Sequence, residues 1–285
     1  MKKFYIVYLF VWIYAVIFAS CSSVPKNPGD IYILRPQVEN GLETANREAA
    51  KGNFVNALLL LTGYKRSAIL TDDMSLIVRV TLSRGNVFFS LGRFDEAFAE
   101  WDYALKEAVL SGNAELISIS KIFYARGNLL SGKSSAQAVY DEITRESANI
   151  KNRLYTAFSW QVRGLALREL GRWREAEDAV RQSLSIHEKD RHLENASYDW
   201  YIIASIRSLS GSLAGSLQAL ETSIEIDRRI ENSWGLATGW RAKGDVLRKD
   251  GREAEAIEAY GRAKTIFEQM ENFQEALETE KKINN

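Results

Sequence analysis

The chain is poor in the residues that most often carry chemistry. Cys21 is its only cysteine, so no internal disulfide can form and a thiolate metal site has no second ligand. His187 and His192 are its only histidines, and no His-x-x-x-His pair sets two imidazoles on one helical face. No serine stands in a Gly-x-Ser-x-Gly elbow. Gly211 to Gly215 holds two glycines but follows no strand, so it is not a phosphate loop. Recurrent carboxylates such as Glu175 and Glu255 keep step with a repeat and read as solubility, not acid–base chemistry. Together these absences argue against an enzyme and call for no metal and no cofactor.

Proline and net charge are also lacking. Pro25, Pro28 and Pro36 are the only prolines, and none follows Pro36 in a chain of 285 residues. A proline inside a helix costs about 3 kcal/mol, so its absence suits a helical chain. Lys plus Arg number 37 and Asp plus Glu number 37. That balance gives no electrostatic footprint for nucleic acid.

What is present begins at the amino end. Lys2 and Lys3 precede an uncharged apolar run from Phe4 to Ala19, the pattern of a secretory signal. Phe18-Ala19-Ser20-Cys21 closes it and resembles the lipobox of bacterial lipoproteins. That resemblance implies a signal peptide over residues 1–20 and lipidation, with palmitate among the expected acyl chains, at Cys21. Residues 21–37, which hold all three prolines, read as a tether. The implied location is the cell envelope, at the outer membrane facing the periplasm. An uncleaved membrane anchor and a plainly secreted thiol are the alternatives.

The body of the chain, residues 38–285, is periodic. Trp160, Trp200 and Trp240 lie forty apart. Each is followed in phase by a small residue (Gly164, Ala204, Gly244), a glycine (Gly171, Gly211, Gly251) and another small residue (Ala176, Ser216, Ala256). Gly85, Gly92, Ala97 and Ala45, Gly52, Ala57 fit the same ruler. A period of this size marks a repeat array. Trp160, Gly164 and Leu167 share one face of a helix, and Gly171 suits its left-handed cap. A second helix starts near Trp173, with Trp173, Ala176, Val180 and Ser183 as its inner stripe. Neither helix buries its stripe alone, so the pair stacks on the next pair.

The run Gly85-Asn86-Val87-Phe88-Phe89-Ser90-Leu91-Gly92-Arg93-Phe94-Asp95-Glu96-Ala97, continuing to Trp101, Ala104 and Leu105, resembles the tetratricopeptide repeat (TPR). Leu170-Gly171-Arg172-Trp173-Arg174-Glu175-Ala176 repeats it. The resemblance implies an all-α, right-handed helix–turn–helix solenoid of about six repeats. The third repeat is degenerate: Gly127-Asn128 stands for Gly85-Asn86, and a shortened or bent turn is expected near Gly132. Phe273 to Asn285 reads as a capping helix, with Phe273, Ala276 and Leu277 on its packed side.

In that family the first helix of each pair lines a concave groove that binds peptides. Carried over by position, the resemblance implies groove residues Arg79, Leu82, Asn86 and Phe89 in the second repeat and Asn128 in the third. It implies Phe158, Gln161 and Arg168 in the fourth, Tyr198, Tyr201, Ser205 and Ser208 in the fifth, and Thr238, Arg241, Asp245 and Arg248 in the sixth. The expected groove is basic and lined with aromatic rings. The expected function is an envelope-anchored adaptor that binds a protein or peptide, as do related lipoproteins of outer-membrane or pilus assembly. Two alternatives stay open. One is a structural lipoprotein that self-assembles into a homo-oligomer. The other is a small-ligand binder that assists a transporter, with its pocket at the third repeat.

Overall fold

The computed structural model describes residues 33–284. Cys21, the signal-like run and most of the tether lie outside the described residues. Thirteen α-helices follow one another, joined by short turns, with no strand among the described residues. They pair as α1 (Leu34–Ala50) with α2 (Phe54–Leu70), α3 (Met74–Ser90) with α4 (Phe94–Ser111), and α5 (Ala114–Leu130) with α6 (Ala136–Glu146). Then come α7 (Arg153–Glu169) with α8 (Trp173–Lys189), α9 (Leu193–Leu209) with α10 (Leu213–Arg229), and α11 (Ser233–Lys249) with α12 (Glu253–Gln269). The last helix is α13 (Phe273–Asn284). The fold is a TPR-like helical solenoid of six pairs and a final helix.

The forty-residue ruler has a simple origin. Most helices are 17 residues long, and a three-residue turn follows each. Two such steps make one repeat. Gly171 (φ 71°) ends α7 in the left-handed region, where its missing Cβ removes the steric penalty. There Arg172 N–H reaches back to the Leu167 carbonyl at 3.0 Å. Each helix packs on the next through its small residues. A Cβ on Gly164 would overlap the Val180 side chain of α8, and one on Gly244 would crowd Tyr260 of α12. Trp101 of α4, fully buried, is seated between Gly85 of α3 and Gly127 of α5. The small positions of the ruler are therefore helix contacts, as their spacing requires.

Three local expectations need correction. Helix α1 begins at Leu34, ahead of residue 38, and Pro36 falls in its first turn, where a missing N–H breaks no helical bond. In the third repeat the turn is longer, not shorter. It runs over residues 131–135, and the loss falls on α6, only 11 residues long, which continues as a 3-10 turn over Ser147–Asn149. Ser135 caps α6 by accepting the Ala138 N–H, so the helix starts where a hydroxyl can hold it. In α13 the packed residues are Ala276 and Thr279, while Phe273 and Leu277 are exposed. The shallow gap left by α12 admits small side chains there.

The array also closes on itself. Trp234, in the first turn of α11, meets Phe54 of α2 edge-on at 5.1 Å between ring centres. The same indole packs on Phe267 of α12 at 5.7 Å. Gly52, in the first turn of the array, abuts the Met270 side chain at the end of α12. The sixth repeat thus touches the first, and the concave side becomes a chamber.

Candidate functional site

The chamber is walled by the first helices of the pairs. A cavity of about 370 Å³ is shared by α1, α3, α5, α7 and α9, with His187 of α8 reaching in. Its walls are aromatic: Phe123 and Phe158 lie 4.4 Å apart, and Phe89, Tyr155 and Tyr198 complete the lining. A second cavity of about 390 Å³ continues it toward α10 and α11 and shares Arg126, Glu194 and Tyr198 with it. Both sizes fall in the range of about 300–1,000 Å³ typical of ligand pockets.

Polar groups in this chamber are incompletely satisfied. Asn86 Oδ1, Arg126 Nε and His187 Nε2 are buried atoms without a hydrogen-bond partner. Arg126 forms no ion pair among the described residues. Unpaired buried polar atoms cost free energy, so these three are groups that a ligand or a water entering the chamber would satisfy.

Behind the wall lies a polar network that fixes the imidazole. Asp199 is fully buried and accepts from Gln161 Nε2 (2.8 Å), Ser183 Oγ (2.9 Å) and His187 Nδ1 (2.7 Å). The carboxylate has acceptors only, so Nδ1 brings the proton, and Nε2 is the nitrogen left facing the chamber. The trio does not form a hydrolytic triad. Ser183 lies on the Nδ1 side with the carboxylate, and no hydroxyl faces Nε2. Among the described residues no three His, Cys, Asp or Glu side chains converge as a metal site needs.

Electrostatics divide the chamber. Burial pushes the Tyr155 hydroxyl up, opposed by Arg79 beside it. Burial likewise raises Tyr201. Burial raises the Glu194 carboxyl, with Arg47 opposing and Glu43 adding to it. Asp227 is pushed up to about 6 by burial, against hydrogen bonds from Ser197 and Asn232.

The residues expected to line the groove separate into two groups. Arg79, Asn86, Phe89, Phe158, Gln161 and Tyr198 line the first cavity, and Tyr198, Tyr201 and Thr238 the second. Gln161 is buried and committed to Asp199. Leu82 is a core residue at 1% exposure, because its side of α3 faces the next helix. Asn128, in the last turn of α5, lies off the chamber and its carbonyl caps the turn by accepting from Lys133 N–H. Arg168 pairs with Glu169 and donates to Ser205 Oγ. Arg241 pairs with Glu275, and Arg248 with Glu253 at 2.6 Å. Asp245 accepts from Tyr260 Oη (2.8 Å) and Lys282 (2.6 Å). These last four spend their charge on their own chain.

Arg126 lines both cavities, although the tetratricopeptide resemblance does not point to it. Forty residues after Asn86 comes Arg126, not Asn128; the Gly-Asn match in the degenerate repeat points two residues too far. His192 stands just before α9, at its N-cap. Asp227, Glu194 and Trp234 lacked any signal, because their roles arise only when the array closes.

No family model and no curated protein matches the chain. Solved structures do. A Rap protein complexed with competence and sporulation factor superposes with a TM-score of 0.62 at 16% identity, over 87% of this chain and 70% of that one. PlcR of Bacillus thuringiensis, in complex with the peptide PapR7 and DNA, gives 0.62 at 19% identity over 70% and 73%. The Rap conjugation regulator of plasmid pLS20, in complex with the Phr* peptide, gives 0.56 at 14% identity over 86% and 78%. The likeness is one of fold.

Proposed function

We propose that this chain is a non-catalytic scaffold that binds a peptide segment inside the chamber. The observation that carries the reading is the set of unpartnered buried polar atoms, Asn86 Oδ1, Arg126 Nε and His187 Nε2, in an aromatic-lined cavity. They line one wall of polar groups beside aromatic rings, which suits a backbone with alternating N–H and C=O groups. Two similar folds were solved with peptides bound. The test is equilibrium dialysis of the purified full chain, in detergent, against a randomised library of short peptides. The wild type retains a subset. Replacing Phe158 and Tyr198 by alanine lowers retention about thirtyfold, as truncation of a desolvated anchor does. Equal retention by the double variant overturns the reading.

The lipobox resemblance completes it: Cys21 carries the lipid and holds the scaffold at the cell envelope, on the periplasmic face of the outer membrane. Fatty-acid labelling tests this, with Cys21→Ala as control; an unlabelled wild type overturns it. A second reading, self-assembly, has one observation behind it. Val55 and Leu59, four apart on the outward helix α2, are 82% and 71% exposed. Sedimentation that shows a dimer dispersed by Leu59→Glu would support it.

A further inference from the structure

Two carboxylates and one guanidinium line the second cavity and do not meet. Asp227 of α10 is 2% exposed, and its neighbours are neutral donors: Asn232 Nδ2 reaches Oδ1 at 2.7 Å. Glu194 stands at the start of α9 on the same cavity. Neither carboxylate has an ion-pair partner within 4.0 Å, and neither does Arg126, which also lines that cavity. The fold keeps them apart across the space between α5 and α10. The other carboxylate oxygen, Oδ2, abuts Gly235 of α11, where any Cβ would overlap it. The missing side chain makes room for the Asp227 carboxylate, which lines the cavity. Aromatic rings complete the enclosure, with Trp234 on one side and the stacked pair Tyr198 and Tyr201, 6.0 Å apart, on another.

An independent observation lies next door. His187 Nε2, on a side chain 1% exposed, opens without a partner into the adjoining stretch of the same chamber. With Nδ1 bound to Asp199, Nε2 is the ring nitrogen left free to meet a ligand. Carboxylates outnumber cations along the second cavity: Asp227 and Glu194 stand against Arg126. A ligand end rich in N–H is the complement.

We propose that the chamber reads the amino end of its ligand, a primary ammonium group docking between Asp227 and Glu194 beneath the rings of Trp234, Tyr198 and Tyr201. This rests on the peptide reading given above. The ammonium has three donors and no acceptor, and an aromatic face attracts it further. Arg126, across the cavity, takes a carbonyl or carboxylate of the same ligand. The first backbone N–H groups of a peptide then run toward His187.

The test separates this proposal from the peptide reading. The full chain is dialysed against a randomised tripeptide library with free amino ends, mixed with its N-acetylated counterpart. Putrescine binding is measured in parallel by calorimetry. The wild type prefers free amino ends by about thirtyfold, the effect expected of one desolvated charged anchor. Asp227→Asn, which keeps the shape and the Asn232 contact site, removes that preference, and Glu194→Gln weakens it. Should Asp227→Asn fail to fold, Glu194→Gln, at an exposed position, carries the test alone. Equal retention of acetylated peptides overturns the proposal and leaves the peptide reading standing. Putrescine binding that is lost in the variants, with no peptide retained, supports the ammonium site and overturns the peptide reading. Binding of neither probe overturns both.

Discussion

The inner faces of the early repeats and of the sixth repeat are built from the same kinds of residue, yet they do opposite things. Across α3 to α9 the inward groups Asn86, Arg126 and His187 keep an atom unpaired. On α11 the inward Arg241 and Asp245 are engaged by Glu275 and Lys282 of the last helix. Arg248, on the same helix, is held by Glu253 and lies over the Tyr260 ring. The difference teaches that register alone does not make a binding residue. The sixth repeat has no seventh to cover it, so its groove positions serve as the seat of α13. A solenoid end needs such a cap. The earlier repeats have structural neighbours on both sides; some of their polar side chains, such as Arg168 and Gln161, are engaged within the chain, but Asn86 and Arg126 keep an atom free toward the chamber.

The largest expected effect comes from breaking the network that stiffens the open half. Asp199→Ala strands His187, Ser183 and Gln161, which all bond to that carboxylate. Removing one partner from a buried polar or charged cluster costs about 3–5 kcal/mol. Thermal melting is expected to fall steeply, whereas an unchanged melt would mean the network is decorative.

Next is the closure itself. Trp234→Ala removes the ring wedged between Phe54 and Phe267. Truncating a large aromatic core residue costs about 3–5 kcal/mol, and a half-buried one such as Trp234 less, about 2–3 kcal/mol. Small-angle scattering is expected to show a wider, open superhelix. A compact profile in the variant would show that the first and sixth repeats meet for other reasons.

These two sites also mark where the sequence could be read. The forty-residue ruler located the helix contacts at Gly85, Gly164 and Gly244, where backbone approach demands a small residue, but not those at Gly41, Gly127 and Gly239. It located the turns through Gly52, Gly92, Gly171, Gly211 and Gly251, all at positive φ. The tetratricopeptide resemblance, not the ruler, pointed to Asn86, Phe158 and Tyr198, which line the first cavity. Closure was not legible. Whether repeat six meets repeat one depends on small rotations summed over many interfaces, and no single residue encodes that sum. The half-turn positions show the same limit: Asp72, Arg191, Glu231 and Glu271 adopt positive φ without being glycine.

A smaller effect distinguishes a charge that is tolerated from one that is paired. Asp227 is raised from the ordinary 3.8 to about 6 by burial, with Glu194 adding to it and Asn232 and Ser197 opposing. The folded state then holds this proton more tightly than the unfolded chain. Its contribution is therefore best in acid and is lost as the pH rises from about 4 through 6. The full cost at neutral pH is at most about 3 kcal/mol. Asp227→Asn is expected to raise stability at pH 7 by about 1–2 kcal/mol, less than that ceiling because its hydrogen bonds change. The variant should also flatten the slope between pH 4 and 6, measured by denaturant unfolding across that range. A steeper slope in the variant would reverse the assignment.

The smallest effect on stability tests the comparison most directly, because it sets one arginine of each region side by side. Arg241 bonds Glu275 and stacks over the Phe267 ring at 5.1 Å, so Arg241→Ala removes contacts that seat α13. Exposed and half-exposed ion pairs contribute about 0–1 kcal/mol, and the stacked guanidinium adds about as much. Arg126 has no carboxylate to lose and holds a buried Nε without a partner. Arg126→Ala should leave the melt unchanged or slightly raise it, since an unsatisfied buried donor is removed. Peptide retention should move the other way, falling with Arg126→Ala and standing with Arg241→Ala. If Arg241→Ala loses the peptide and Arg126→Ala keeps it, the two regions have been assigned the wrong way round: the sixth repeat is then the binding face, and the unpaired groups of the chamber serve only its interior waters.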